Sequence, residues 1–200
     1  TLYTNTRERF ESGLGFGYGQ TLGGPDAFVL YQIFATERAK LWLRDDTWLQ
    51  GAVHLRLGGN YDKFKVTGPS ELPRVRTFLR EYLTTSHFTM PNLQLTHVGK
   101  LSANQYYSVY GGYLESEFAG VGGEWLYRPF LSRIAFGVDV NQVQQRSFEQ
   151  DFSFDNAGTQ TGYRVATGHA TLYWDTGWQG VQVTVNAGRY LAGDVGATLQ

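Results

Sequence analysis

The sequence predicts an all-β protein: an antiparallel transmembrane β-barrel, or a large part of one, with a short helix near residues 74–84. Three observations carry this. Apolar and polar residues alternate through segment after segment. Several segments run to about 12–18 residues, where globular strands peak near 5–6. Tryptophans stand at segment ends beside short turns, as amphipathic rings do at a membrane interface.

The first strand, near 7–21, contains GLGFGYG at residues 13–19. Glycine inside a regular element costs roughly 0.5–1 kcal/mol relative to alanine, so four in alternation need a reason. The spacing matches neither the dinucleotide fingerprint nor the P-loop. It strips one face of a strand and leaves Leu14, Phe16 and Tyr18 on the other, an outward row over a bare inner face. That bare face predicts a closely apposed element or a sharply coiled strand behind it, although a soluble sandwich uses the same device.

Further strands are expected near 27–43, 48–59, 92–98, 104–114, 131–148, 161–174, 180–191 and from 195 onward, separated by turn signals such as Arg44-Asp45-Asp46, Gly58-Gly59-Asn60 and Asp175-Thr176-Gly177. Ile134, Phe136, Val138 and Val140 oppose Arg133, Gly137, Asp139 and Asn141. Val181, Val183, Val185 and Ala187 oppose Gln182, Thr184, Asn186 and Gly188.

Two inserted non-strand segments are expected, near 60–90 and 115–130. In the first, Val75, Phe78, Leu79, Tyr82 and Leu83 follow helical spacing downstream of Pro73, which predicts the short helix. In the second, AGVGGEWLYRP suits a short strand, a helix or an inward-folded loop equally. The chain opens on Thr1 and stops at Gln200 inside a strand pattern, so residues 1–200 read as a single barrel portion of a longer protein, a fragment or a processed product. Nine or ten strands in such a piece need not close alone, and open edges favour aggregation.

Composition excludes several functions. With 17 basic and 18 acidic residues, net charge −1, no field draws nucleic acid. The absence of cysteine removes disulfides, zinc–cysteine sites and thiol catalysis. His54, His87, His97 and His169 lack ligand spacing, so neither metal nor cofactor is expected. No apolar run reaches about 18 residues, which excludes a transmembrane helix but not a barrel. Glu115, Glu117, Glu124, Asp139, Asp151 and Asp155 are fixed by no catalytic motif, so a non-enzyme is expected. Trp42, Trp48, Trp174 and Trp178 are candidates for a membrane-interface belt, with hairpin capping and sugar stacking as other readings.

Leu72-Pro73-Arg74-Val75-Arg76-Thr77, Glu81-Tyr82-Leu83, Gly112-Tyr113-Leu114-Glu115 and Gly120-Val121-Gly122-Gly123-Glu124-Trp125-Leu126-Tyr127-Arg128-Pro129 carry a family resemblance. Together they resemble the YjbH/GfcD family of Gram-negative outer-membrane proteins, across all 200 residues but only an internal portion of the longer family protein. The resemblance implies an outer-membrane β-barrel acting in exopolysaccharide or capsule secretion or surface assembly. Its implied partners are outer-membrane lipid, polysaccharide and other exopolysaccharide-secretion proteins. It supplies no catalytic residues. Arg76, Arg80, Glu115, Glu124 and Arg128, in the two segments that depart from alternation, are the candidates for a glycan-contacting lumen. The competing reading is a soluble β-rich carbohydrate-binding module of the periplasm or cell surface, in which the tryptophans stack on sugars. A carbohydrate-active enzyme ranks third.

Overall fold

A computed structural model describes residues 8–22, 26–65, 78–154 and 163–200. Among these residues ten strands follow in chain order: β1 (Phe10–Leu22), β2 (Val29–Arg44), β3 (Thr47–Gly59), β4 (Phe88–Ser102), β5 (Gln105–Tyr113), β6 (Phe118–Tyr127), β7 (Ile134–Gln145), β8 (Arg164–Asp175), β9 (Gln182–Arg189) and β10 (Val195–Leu199). Each pairs antiparallel with its sequence neighbour, giving one ten-stranded sheet with β1 and β10 as its edges. The sheet is not closed into a barrel. A 3₁₀ turn, Tyr61–Lys63, and a helix, α1 (Leu79–Thr84), lie in the β3–β4 connection.

Two sequence expectations need correction. Residues 118–127 are not an insertion but strand β6. Gly120, Gly122 and Gly123 carry no side chains, so the alternation of Phe118, Glu124 and Leu126 against Ala119, Val121, Trp125 and Tyr127 is faint in the sequence. β4 also starts at Phe88, so the first insertion ends earlier than expected. Of the helical stretch, Leu79–Thr84 is α1, with Phe78 and Tyr82 buried, while residues 74–77 lie outside the described residues.

The cross-strand register sorts side chains onto two faces of opposite character. Leu14, Phe16 and Tyr18 share a face with Ile33 and Ala35 on β2, and the same parity carries Val121 and Trp125 on β6, Val138 and Val140 on β7, Leu172 and Trp174 on β8 and Val185 on β9. This face is apolar and open: Phe16 is 76% and Val140 61% exposed. The other parity holds Thr36, Thr96, Thr167 and Thr171, each under 10% exposed. The sheet curls around this polar side, since residues of β3 to β8 line one shared cleft. A water-soluble sheet buries its apolar face and exposes the polar one, so the polarity here is inverted. Glu37, paired with Leu14 and Val53, is a charged residue midway along the apolar face, whereas Arg164 and Arg189 of the same parity stand at strand ends.

The two ends of the sheet differ. One carries the connections 45–46, 103–104, 128–133 and 176–181, all short, and the other carries the short connections 23–28, 114–117 and 190–194 together with the two long ones, 60–87 and 146–163. The buried apolar side chains Leu30, Phe118, Val143 and Val165 gather at the long-connection end. There α1 and residues 146–152 form a cap. Phe148 packs on Phe78 and edge-on to Tyr82. The fully buried Arg146 donates to the carbonyls of Met90 (2.9 Å), Glu115 (2.8 Å) and Asp151 (2.9 Å). Its guanidinium also lies over the Tyr113 ring at 4.7 Å.

Tyr82 donates to the carbonyl of Arg146 at 2.6 Å, and Gln150 returns a bond to the carbonyl of Tyr82 at 2.7 Å. Arg56 of β3 donates to the Leu83 and Thr84 carbonyls, which α1 leaves without helical partners. A six-residue helix needs such tertiary support, because nucleation is unfavourable at that length.

The bare face of GLGFGYG also has a local reason. A Cβ at Gly17 would collide with the Phe34 ring, which lies over it from β2. The covering group is thus a neighbouring side chain, and it serves Gly17 alone: at Gly13 and Gly15 a Cβ would meet nothing within 4 Å.

Candidate functional site in the concave cleft

Inward parity on six strands, β3 to β8, assembles a cleft of about 650 Å³. Two cross-strand rows build it. In the first, Ser108 of β5 stands beside Glu124 of β6, Glu124 beside Asp139 of β7 and Asp139 beside His169 of β8. Two carboxylates side by side repel one another, and each has acquired donors. Ser108 donates to Glu124 Oε2 at 3.1 Å. Asn141 donates to Asp139 Oδ2 at 3.1 Å, and His169 Nδ1 lies 3.0 Å from the same oxygen. That last contact requires the imidazole proton on Nδ1. The His169 ring packs at 4.7 Å against Tyr190.

In the second row, Trp48 is followed by Thr96, Tyr110, Gly122, Asn141 and Thr167. Tyr110 and Asn141 are joined by a hydrogen bond of 2.7 Å. Gln50 and Gln94 continue the polar lining, and Leu114, Glu115 and Phe118 bound it at the capped end.

The sequence-predicted residues divide. Glu115 and Glu124 line this cleft. Arg128 does not: it follows β6 in a turn and lines a smaller cavity of about 330 Å³ with Ser132, Arg133, Tyr173 and Asp175 at the short-connection end. Arg80 lies on α1 in the β3–β4 connection, and Arg76 lies outside the described residues.

Of the four tryptophans considered for an interface belt, hairpin capping or sugar stacking, Trp42 and Trp48 share the parity of the polar concave side. Their rings pack at 5.0 Å, and Lys40 Nζ lies 4.0 and 4.7 Å from the two ring centres. Such cation–π contact fixes the ammonium against both rings. Trp174 lies on the apolar face, and Trp178, 67% exposed, occupies the β8–β9 turn. Sequence reasoning did not single out Tyr110, Asn141 or His169 as site residues. Their signal was parity, because they alternate with the apolar face.

The cleft offers hydroxyls, carboxamides, carboxylates and aromatic rings, the groups that hydrogen-bond and stack on sugars. Among the described residues no group of three or more His, Cys, Asp or Glu side chains is placed to hold a metal ion. No helix among them is long and apolar enough to cross a membrane, which says nothing of strands.

Fold and site together define an antiparallel meander of inverted polarity, its polar side chains gathered in a concave cleft and its apolar ones outside. The chain belongs to the YjbH family: residues 1–200 match it over their whole length, under the description "Exopolysaccharide biosynthesis protein YbjH". It is 42% identical over 198 residues to "Uncharacterized lipoprotein YjbH" of Escherichia coli (strain K12). That alignment covers 97% of this chain and 28% of the relative, so the chain spans little more than a quarter of the relative's length. No solved structure matches. The GVGGEW string that carried the resemblance lies on β6, where Gly122 stands in the second row and Glu124 lines the cleft.

Proposed function

We propose that this chain forms part of an outer-membrane β-barrel that takes part in exopolysaccharide secretion or surface assembly without catalysing a covalent step, the glycan passing over the polar concave face. The observation that carries the reading is the inverted polarity of the sheet. Long strands expose aliphatic and aromatic residues on the convex side, while the other side buries threonines and carries the asparagine and carboxylate rows. Lipid is the environment in which that arrangement is stable. Both long connections fall at one end and the other end carries short turns alone, which suits the loop and turn ends of such barrels. The edges β1 and β10 then pair with strands from the remainder of a longer protein, because an open edge cannot face hydrocarbon. Membership of an exopolysaccharide family and the relative's designation as a lipoprotein support a polysaccharide role in the Gram-negative envelope.

The full-length protein reconstituted in lipid tests this. The expected result is extraction only with detergent, fractionation with the outer membrane and heat-modifiable migration on gels. A protein that is monomeric and folded in plain buffer overturns the transmembrane reading and leaves the soluble carbohydrate-binding module. Sustained glycan hydrolysis by the wild type, lost in Glu124→Gln, overturns the non-enzymatic part.

A further inference from the structure

We infer that the concave cleft selects an uncharged or amine-bearing stretch of glycan and rejects uronate-bearing ones. This rests on the reading of the concave face as the glycan-contacting surface and names the sugar class that the face accepts.

The charge of the lining carries the inference. Glu115 and Glu124 border the cleft, Asp139 stands one strand beyond Glu124 on the same face, and among the described residues neither lysine nor arginine belongs to the lining. The described basic side chains of this face stand on β2, β3 and β4. Lys100 of β4 lies 5.2 Å from the Tyr106 ring centre, in a neighbouring cavity that Glu124 also borders and outside the lining of this cleft. Lys40 is drawn onto the two tryptophan rings, Arg56 is committed to the carbonyls of α1, and Arg38 lies beside Lys40 in a separate cavity. Among the described lining residues His169 is the one group able to carry positive charge, and Asp139 opposes it at 3.0 Å. A carboxylate on a sugar seated in this cleft therefore meets Glu115 and Glu124, with no lysine or arginine among the described lining residues to offset them. An ammonium group meets a ready partner.

The remainder of the lining is neutral and suited to hydroxylated rings. Gln50, Gln94, Asn141 and Thr167 offer paired donors and acceptors, and Trp48 and Tyr110 offer aromatic surface for the C–H faces of a sugar. A volume of about 650 Å³ is within the range of specific small-ligand sites.

The experiment measures binding of three hexasaccharides to the full-length protein in lipid nanodiscs by calorimetry: glucosamine, N-acetylglucosamine and galacturonate oligomers. It is run at about pH 6, where the amines are charged and the uronates ionised. The glucosamine oligomer is expected to bind at least as tightly as the N-acetylated one, and the galacturonate oligomer about tenfold or more weaker than either. In Glu124→Gln the ratio between glucosamine and galacturonate affinities should shrink several-fold, with heat-modifiable migration reporting that the variant has folded. Galacturonate binding as tight as that of the neutral oligomer, or a folded Glu124→Gln variant with the wild-type ratio, overturns the inference while leaving the glycan reading in place. Failure of all three to bind overturns the glycan reading, and the inference with it.

Discussion

Tyr110 of β5 crosses over Gly122 of β6, and its hydroxyl donates to Asn141 Oδ1 of β7 at 2.7 Å. A Cβ at position 122 would stand 2.7 Å from Tyr110 Cε2 and overlap the Asn141 side chain. The glycine therefore exists for its neighbours: it leaves room for one bond that ties three consecutive strands across the floor of the cleft. Asn141 in turn donates to Asp139, so the same link steadies the carboxylate beside Glu124.

Gly122→Ala is accordingly expected to destabilise the folded protein by about 1–3 kcal/mol, the usual cost of overpacking a filled site. Tyr110→Phe removes only the bond and should cost about 0.5–1.5 kcal/mol. Because both changes break the same link, their combination should cost less than the sum. Guanidinium titration of the detergent-solubilised protein reads all three. Strict additivity would show that the glycine and the bond are unconnected.

The glycine row of β1 gives a second, position-specific expectation. Gly17→Leu must displace the Phe34 ring and should impair assembly, whereas Gly13→Leu and Gly15→Leu enter open space and should assemble normally. Phe34→Ala should restore Gly17→Leu in part, since it removes the obstructing ring. The yield of heat-modifiable protein in the outer membrane distinguishes the three positions. Equal loss at all of them would mean that the bare face itself, and not Phe34, is the requirement.

Much of this was legible in the chain. The period-2 pattern of β7 and β9 placed Asp139, Asn141, Thr184 and Asn186 opposite the aliphatic row, and the register agrees. Trp48 shares its parity with Gln50, and Trp42 with Lys40, so their polar-face position followed from the same alternation that the placement at strand ends obscured. β6 was unreadable because three glycines remove the side chains that alternation is read from. The cap was unreadable for another reason. Arg146 is satisfied by carbonyls at positions 90, 115 and 151, a convergence that no local pattern encodes.

That convergence makes Arg146 the keystone of the cap. Burial pushes its guanidinium below its ordinary value, yet a planar fork with several donors is what the carbonyls require. Arg146→Lys retains the charge and loses the fork, so it should behave nearly as Arg146→Met does. Both should speed hydrogen exchange at Tyr82 and Gln150 well before the strands open. If lysine preserved wild-type protection, charge alone would be sufficient.

The cap should also weaken in acid. The backbone N–H of Ser153 donates to Asp151 at 2.8 Å and the Ser147 hydroxyl at 2.9 Å, and these bonds hold the Asp151 carboxyl below its ordinary value. A carboxyl depressed in the folded state contributes its stability fully above the unfolded value and loses it as pH falls through the folded one. Protection of residues 146–152 is therefore expected to decline below the ordinary aspartate value of 3.8. Asp151→Asn should flatten that decline, as followed by hydrogen exchange across an acid series. An unchanged profile in the variant would assign the acid sensitivity to another carboxyl.

Glu37 offers the sharpest test of what covers the convex face. It lies midway along β2 among Leu14, Val53, Ala35 and Ala39, with apolar neighbours on both flanking strands. A carboxyl facing hydrocarbon is unfavourable, though less so than lysine or arginine at the same depth. If lipid covers this stretch, Glu37→Leu should raise the stability of the lipid-embedded protein by about 1–2 kcal/mol, measured by denaturant titration in vesicles. A loss of stability would mean instead that Glu37 is paired there by protein, and that β2 turns its outer face to another part of the polypeptide or to a partner. Lipid-soluble quenchers with tryptophan introduced at position 35 or 39 separate the two outcomes. Strong quenching accompanies a lipid contact, and protection accompanies a covered one.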